Sequence, residues 1–187
     1  RAMNGPMMKG ETETGRTVCG PDGCIDTGDF LRQRTAPTSA TDTLGSVYFD
    51  RLFPMGVEAL LGAVDRVAAG TAPRLPQDEA LATYEAPCGR ENARLDWGKP
   101  CRQLYDLVRG CDPSPGAWAF CGTRRLQVVA ATPQLAPDPP GPGGRMGSVP
   151  QIARDGFRVV CADGGPGGPR VPRGGAAQTG ARQWPAA

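Results

Sequence analysis

The 187-residue sequence contains no histidine, and its cysteines form no C-x-x-C pair. A zinc site would therefore need four thiolates from scattered positions, so the sequence predicts no metal site. We interpret the thiols as reduced side chains of a cytoplasmic protein, several of them in core positions. The seven cysteines are Cys19, Cys24, Cys88, Cys101, Cys111, Cys121 and Cys161.

Long apolar runs are also missing. No run approaches the about 20 residues that a membrane-spanning helix needs. The N-terminal stretch RAMNGPMMKGETETG lacks the apolar centre of a signal peptide. We therefore expect no membrane segment, whereas the 39% of hydrophobic residues is enough to form a folded core.

Charge is unevenly distributed along the chain. The net charge of +2 divides into −4 over residues 1–87 and +6 over residues 88–187. A basic second half could contact nucleic acid or another polyanion, although arginines in solvated loops are the interpretation that composition favours. The 27 Gly and 20 Pro concentrate after residue 132, which favours disorder there.

The first half predicts two short strands followed by a helix. Residues 16–19 and 29–34 have strand character and are joined by a loop rich in Gly, Pro and Asp. Asp42 is a candidate N-cap, Pro54 should break or kink the helix, and Gly70 is placed to end it. Apolar residues then mark one helical face: Val57, Leu60, Leu61, Val64, Val67 and Ala68.

The second half predicts one short helix and several strands. Residues 71–93 contain three prolines and little periodicity, which indicates a linker. Pro100 suits the first turn of a helix that Gly110 ends. Its inward residues are Leu104, Leu107 and Val108. The predicted strands are residues 117–120, 125–131, 148–153 and 157–162, with a hairpin turn at 154–156.

The stretch GCIDTGDF, residues 23–30, carries the clearest candidate chemistry. Asp26 follows a strand, and ligands of open α/β sheets bind beyond strand ends, where a carboxylate can orient a base or accept a proton. The alternative is a turn in which Asp29 bonds local N–H groups and Gly28 supplies a positive φ. Spacing alone favours the turn. The D-T-G triplet also occurs in aspartic proteases, but the flanking residues do not support that family.

A set of ordered segments resembles the superfamily of formyltransferases that use 10-formyltetrahydrofolate. The segments are GETETGRTV…PDGCIDTGDFLRQ, DTLGSVYFDRLFPMGVEALLGAV, AAGTAPRLPQDEALATYE, ENARLDW, LVRGCDPSPGAW and GSVPQIARDGFRVVCADGG, and they span roughly residues 10–164. They look most like the hydrolase domain of 10-formyltetrahydrofolate dehydrogenases, with methionyl-tRNA formyltransferases similar but more distant.

The resemblance implies an α/β fold in four parts. Residues 1–75 would be the C-terminal part of a Rossmann-like formyltransferase domain, and residues 76–93 a linker. Residues 94–164 would form a small open β-barrel of the OB-like type. Residues 165–187 are expected to be a disordered tail, as their composition also predicts.

Site residues are carried over one by one. The first acid of the family's D-T-G-D segment is catalytic and corresponds to Asp26, while Asp29 matches the second acid, which we interpret as structural. The preceding loop lies against the folate pterin in the family. Its residues here are Pro21, Asp22, Gly23 and Cys24.

The sequence departs from the family in one chemical respect. The family's catalytic Asn and His lie in an N-x-H stretch that this sequence lacks. We therefore expect the C-terminal portion of an enzyme that transfers or hydrolyses the formyl group of 10-formyltetrahydrofolate, incomplete and inactive by itself. The acceptor would be water or an amine, including methionyl-tRNA. The alternatives are a tRNA-contacting fragment and an inactive binding module.

Overall fold

A computed structural model describes residues 3–21, 26–132, 145–154, 156–163, 170–172 and 176–178. The chain divides into two compact units. Glu11–Ala86 form the first, called here the hairpin unit. Arg1–Gly10 and Pro87–Ala187 form the second, called the core unit. The N-terminal residues thus belong with the second half of the chain rather than with the segment that follows them.

The hairpin unit is a two-stranded antiparallel sheet with helical segments after it. β1 (Glu13–Cys19) pairs with β2 (Phe30–Pro37), with one irregularity at the end of β1. The helical segments are α2 (Leu44–Val47), a π-helical turn (Tyr48–Leu52), α3 (Phe53–Ala68) and a 3-10 turn (Glu79–Leu81). Both predicted strands are present, and each is longer than the sequence pattern indicated.

The start of α2 differs from the prediction. Thr43 is the N-cap: its hydroxyl accepts from the Ser46 N–H, and the Ser46 hydroxyl accepts from the Thr43 N–H. Asp42 instead accepts from the Ser39 N–H at 2.7 Å and pairs with Arg51 at 2.6 Å. The Asp42 prediction is wrong because this carboxylate lies one residue before the cap and is engaged by a side chain of the following turn.

Pro54 does not end the helical segment. It occupies the first turn of α3, and the π-helical turn Tyr48–Leu52 precedes it. A proline is tolerated in the first turn of a helix, because its missing N–H would have no partner within the helix there. The helical segment therefore continues through Pro54. Gly70 follows the last turn of the helix as predicted and has a left-handed backbone, with φ 70°. The Thr71 N–H then closes the terminus on the Arg66 carbonyl at 2.9 Å.

α3 packs on the hairpin by its small residues. Ala59 and Ala63 are buried, and a Cβ on Gly56 would lie 3.0 Å from the Arg16 side chain. The residues of the predicted apolar face lie on one helix, yet all of them are exposed: Val57, Leu60, Leu61, Val64, Val67 and Ala68. Small residues allow the helix to approach the two strands closely, which leaves the larger side chains on the opposite face.

The core unit combines two helices with two three-stranded antiparallel sheets. The helices are α1 (Asn4–Lys9) and α4 (Cys101–Gly110). The strands are β3 (Ala117–Cys121), β4 (Arg124–Val128), β5 (Gln151–Ala153), β6 (Gly156–Arg158), β7 (Arg170–Pro172) and β8 (Ala176–Gln178). Their order is β3-β4-β8 in one sheet and β5-β6-β7 in the other. The hairpin predicted at β5–β6 is confirmed, and the predicted strands β3 and β4 also pair antiparallel.

β7 and β8 lie in the segment 165–187 that composition predicts to be disordered. The structure differs from that prediction at these six residues, which pair with β6 and β4. Pairing of backbone groups along a sheet edge does not require the apolar side chains that this segment lacks. The remaining residues of the predicted tail lie outside the described residues, as does most of the predicted loop 133–147.

α4 lies at the centre of the hydrophobic core. Leu104, Leu107 and Val108 are buried, as the sequence predicts. They pack with Ala117, Ala119, Leu126, Val128, Phe157 and Val159 of the strands. Cys101, Cys111 and Cys161 are buried in this core and form no disulfide. Burial raises the pKa of Cys111 to about 12, so this thiol is a packing group rather than a nucleophile at neutral pH.

A largely buried ionic group lies within α4, and a second contact joins α4 to α1. The Asp106 carboxylate accepts from Arg109 Nε at 2.6 Å and from Arg102 Nε at 2.9 Å, and Asp106 and Arg109 are both buried. Asn4 of α1 donates to the Gly110 carbonyl at the end of α4 at 2.8 Å. These contacts hold α1 on α4 and pair the buried charges.

Candidate functional site

The loop between β1 and β2 contains the predicted site residues. Pro21 and Asp26 lie in the described part of this loop, whereas Asp22, Gly23 and Cys24 lie outside the described residues. The base of the loop is closed by the Gly20 N–H, which donates to the Asp29 carbonyl at 2.9 Å. Asp29 thus contributes its backbone to the closure of the loop.

Asp26 has a left-handed backbone, with φ 65°, and an exposed side chain. It is the only non-glycine residue with positive φ among the residues that the structure describes. The predicted positive φ at Gly28 is wrong, because the chain reverses at Asp26 and Gly28 is buried instead. Aspartate tolerates this conformation better than most residues, and such strained positions cluster at functional sites.

Gln77 holds the backbone on both sides of Thr27. Its Nε2 lies 2.8 Å from the Asp26 carbonyl oxygen and 2.8 Å from the Gly28 carbonyl oxygen. Sequence reasoning missed this residue, because Gln77 lies in the predicted linker and no pattern marks it. Gln77 lies in the segment AAGTAPRLPQDEALATYE, which carries part of the family resemblance, but the resemblance implied no role for it.

Gln77 reaches the loop because the chain before it pairs with β2. Phe30 and Leu75 exchange two backbone hydrogen bonds, of 2.8 and 3.2 Å. This isolated antiparallel bridge fixes the chain two residues before Gln77 against the first residue of β2. The first residues of the predicted linker are therefore ordered and form one wall of the site.

An open cleft of about 480 Å³ adjoins the loop within the hairpin unit. It is lined by Gly20, Pro21, Thr27, Gly28, Asp29, Leu31, Val67, Gly70, Ala72 and Arg74. Asp26 directly precedes Thr27, the first lining residue of the D-T-G-D segment. The volume lies within the range of small-molecule pockets, and the walls combine apolar side chains with a few polar groups. The cleft thus brings Pro21 together with the D-T-G-D segment.

Over the described ranges, no three His, Cys, Asp or Glu side chains converge on a point where they could bind a metal ion. Within the same ranges, every helix is too short or too polar to cross a bilayer.

The core unit carries a cluster of arginine and aromatic side chains on β3 and β4. The Arg94 guanidinium lies 5.7 Å from the ring centres of both Trp118 and Phe120, and Arg125 lies 5.9 Å from that of Trp118. Phe120 is 54% exposed. Trp118 packs partly against the core and donates its Nε1–H to the Arg90 carbonyl at 2.7 Å, so it has a structural role besides its surface contacts.

Comparisons with known proteins agree with this organisation. The family "Formyl transferase, C-terminal domain" matches residues 88–166, which lie in the core unit. Methionyl-tRNA formyltransferase of Moorella thermoacetica is 37% identical over 158 residues, which are 84% of this chain and 49% of that protein. Cytosolic 10-formyltetrahydrofolate dehydrogenase of Xenopus tropicalis is 34% identical over 153 residues, which are 82% of this chain and 17% of that protein.

The fold has a counterpart among solved structures. The structure of HypX from Aquifex aeolicus in complex with tetrahydrofolic acid superposes with a TM-score of 0.68 at 24% identity, over 87% of this chain and 28% of that one. The chain thus spans about half the length of the methionyl-tRNA formyltransferase it matches, and a smaller share of the larger proteins. The two groups of relatives match at similar identity, so neither is preferred. Residues 88–166 thus match the formyl transferase C-terminal domain, and the chain is homologous to methionyl-tRNA formyltransferases and 10-formyltetrahydrofolate dehydrogenases.

Proposed function

We propose that this chain contributes the folate-facing loop and the catalytic acid to an enzyme that takes the formyl group from 10-formyltetrahydrofolate. The observation that carries the proposal is the cleft of about 480 Å³ beside Asp26, with Pro21 and Asp29 in its lining. The relatives support it, since one is a methionyl-tRNA formyltransferase and another a 10-formyltetrahydrofolate dehydrogenase. A structural neighbour is in complex with tetrahydrofolic acid.

The cleft has the chemistry that a pterin requires. Its apolar residues, among them Pro21, Leu31 and Val67, provide surfaces for a flat ring. The polar residues of its lining are Thr27, Asp29 and Arg74. The proposed folate-facing residues are Pro21 together with Asp22, Gly23 and Cys24.

Asp26 is proposed as the acid that accepts a proton from the attacking amine or water. The bound donor supplies the formyl group. The carboxylate is exposed, while the backbone that carries it is restrained by the hydrogen bond from Gln77 to the Asp26 carbonyl. The His and Asn that complete the family's centre have no counterpart here, since the sequence holds no His. This chain alone is therefore proposed to bind folate without turnover.

The assignment of residue ranges to domains is part of the same proposal. Residues 1–75 are proposed as the C-terminal part of a Rossmann-like domain, residues 76–93 as its linker and residues 94–164 as an OB-like barrel. The two antiparallel three-stranded sheets and the central α4 support the last assignment. A short linker between a cleft-bearing unit and a β-rich unit suits an enzyme whose acceptor is held by a second domain.

Binding of 5-formyltetrahydrofolate, a donor analogue without the 10-formyl group, tests the proposal on the chain as it is. An NMR titration should shift the amide signals of Thr27, Gly28 and Gly70, and Ala72→Trp should abolish the shifts by filling the cleft. Ala82→Trp, which adds the same side chain at an exposed position outside the lining, is the matched control. Absence of shifts in the unmodified chain at millimolar analogue would refute folate binding here.

The arginine and aromatic cluster on β3 and β4 favours a second candidate function, contact with tRNA. Exposed Phe120 and the cations beside it resemble the way proteins stack unpaired bases and neutralise phosphates. The net charge of +6 over residues 88–187 agrees with such a partner. Binding of unfractionated tRNA should weaken steeply between 50 and about 200 mM salt. A chain that fails to bind tRNA at low salt would eliminate this candidate.

A further inference from the structure

We propose that Gln77 is a positioning residue for Asp26, acting through the backbone of residues 26–28. The proposal rests on the proposed function for its catalytic meaning, since Asp26 is the acid in that function. Its structural content, that one amide group holds the loop, is independent of which ligand the cleft binds.

The hydrogen-bonding capacity of Gln77 matches the loop. A side-chain amide has two N–H donors on one nitrogen. Gln77 Nε2 lies at 2.8 Å from each of two carbonyl oxygens, those of Asp26 and Gly28. Both donors are therefore used. An aliphatic side chain offers no donor and a carboxylate offers only acceptors, so neither can replace this contact at neutral pH.

The two carbonyls flank a single residue, Thr27. Each carbonyl belongs to a planar peptide group, so the two contacts restrain the Asp26–Thr27 and Gly28–Asp29 peptide groups in the backbone that follows Asp26. Asp26 has φ 65°, a conformation that a non-glycine residue keeps only where the surroundings enforce it. We assign part of that restraint to Gln77, 51 residues further along the chain, because it holds the carbonyl of Asp26 itself.

The support of Gln77 is itself anchored to the sheet. The Phe30–Leu75 bridge ties the segment before Gln77 to β2, the strand that follows the loop. The loop is thus continuous with β2 at its exit and is held at the Asp26 and Gly28 carbonyls by Gln77, two residues after the bridged Leu75. This arrangement restrains the backbone from which the Asp26 side chain projects.

Order parameters of the Thr27 and Gly28 amides test the holding role in the full chain. We expect values near about 0.85 in the unmodified protein and below about 0.6 in Gln77→Ala. The dissociation constant for 5-formyltetrahydrofolate should rise about tenfold, as expected from the loss of two hydrogen bonds. Gln33→Ala is the matched control, because Gln33 donates to the Thr17 hydroxyl on the exposed hairpin, outside the cleft lining. It should change neither quantity.

Gln77→Glu gives a pH readout that a space-filling role would not produce. At pH 7 the carboxylate faces two carbonyl oxygens with no donor, so the loop should be at least as mobile as in Gln77→Ala. Below the ordinary glutamate pKa of about 4.3 the protonated acid gains one O–H donor, and order at Thr27 and Gly28 should partly return. The alanine variant should show no such recovery. Because one folded variant is compared at two pH values, misfolding cannot mimic the result.

The outcomes separate the two proposals. If Gln77→Ala leaves both the order parameters and the dissociation constant unchanged, Gln77 has no positioning role. If the loop loosens but the unmodified chain binds no 5-formyltetrahydrofolate, the holding role stands and the proposed function fails. If the loop loosens and binding is unaffected, Gln77 orders the backbone without positioning the site, and the proposal is wrong.

Discussion

The helices α3 and α4 show similar apolar patterns and opposite burial. Leu104 of α4 is fully buried, whereas Leu60 of α3 is 53% exposed. In the core unit, strands and α1 surround α4. In the hairpin unit, the two strands cover the small-residue face of α3 and leave its large side chains bare. An apolar face on a helix therefore indicates a surface suited to packing. It does not indicate whether the residues that pack on that surface belong to this chain.

The ion pairs of the two units also differ in burial. Asp106 and Arg109 are buried and close, whereas Arg34 and Glu58 are 3.6 Å apart on the exposed surface of the hairpin unit. A buried charge that loses its partner is strongly destabilising, while an exposed pair contributes little. The following variants measure how far this contrast extends.

The largest effect is expected for Asp106→Ala. It removes the carboxylate shared by Arg102 and Arg109 and should lower the free energy of unfolding of the core unit by about 3–5 kcal/mol. Urea unfolding followed by the amide NMR signals of each unit measures it. Glu58→Ala is the control in the hairpin unit and should change stability by less than about 1 kcal/mol. Equal losses in both variants would remove the contrast.

The next effect compares one truncation at two leucines. Leu104→Ala leaves a cavity in the core and should cost about 2–5 kcal/mol. Leu60→Ala should cost within about 0.5 kcal/mol, because the side chain is already in solvent. Urea unfolding monitored by amide NMR signals of each unit separates the two. A large loss in Leu60→Ala would mean that the α3 face is covered in solution, for example by another copy of the chain.

The smallest effect concerns the pH dependence of the hairpin unit. Burial acts to raise the pKa of Asp42, but hydrogen bonds from Arg51 and the Ser39 N–H outweigh it and hold the pKa below its ordinary value. The folded state thus binds this proton more weakly than the unfolded state. The resulting stabilisation is present above the ordinary aspartate pKa and is lost as the pH falls through the folded value.

Arg51→Ala should weaken that dependence. Unfolding of the hairpin unit, followed by its amide signals, should show a smaller loss between pH 7 and 3 in this variant than in the unmodified chain. The core unit carries its own acid with a lowered pKa, Asp163, and serves as the internal reference. An identical pH dependence in both proteins would show that the Asp42–Arg51 pair contributes nothing to stability.

The sequence by itself determined the elements whose signals are local. Strand alternation, the proline before α4, the glycine after α3 and the turns of the hairpins lie within a few residues of the structures they set. The ordered family segments identified the formyltransferase resemblance and drew attention to Asp26. These conclusions needed no knowledge of which distant residues meet.

Only the tertiary structure decided the contacts between distant residues. Gln77 reaches the Gly28 carbonyl across 49 positions, and Asp163 accepts from the first N–H of α4 across 62. Asp42 pairs with Arg51 and leaves the helix cap to Thr43. A spacing rule describes neighbours on one helix or strand, whereas these partners meet because separate segments pack together. For the same reason, the left-handed turn falls at Asp26 rather than at the glycine two residues later.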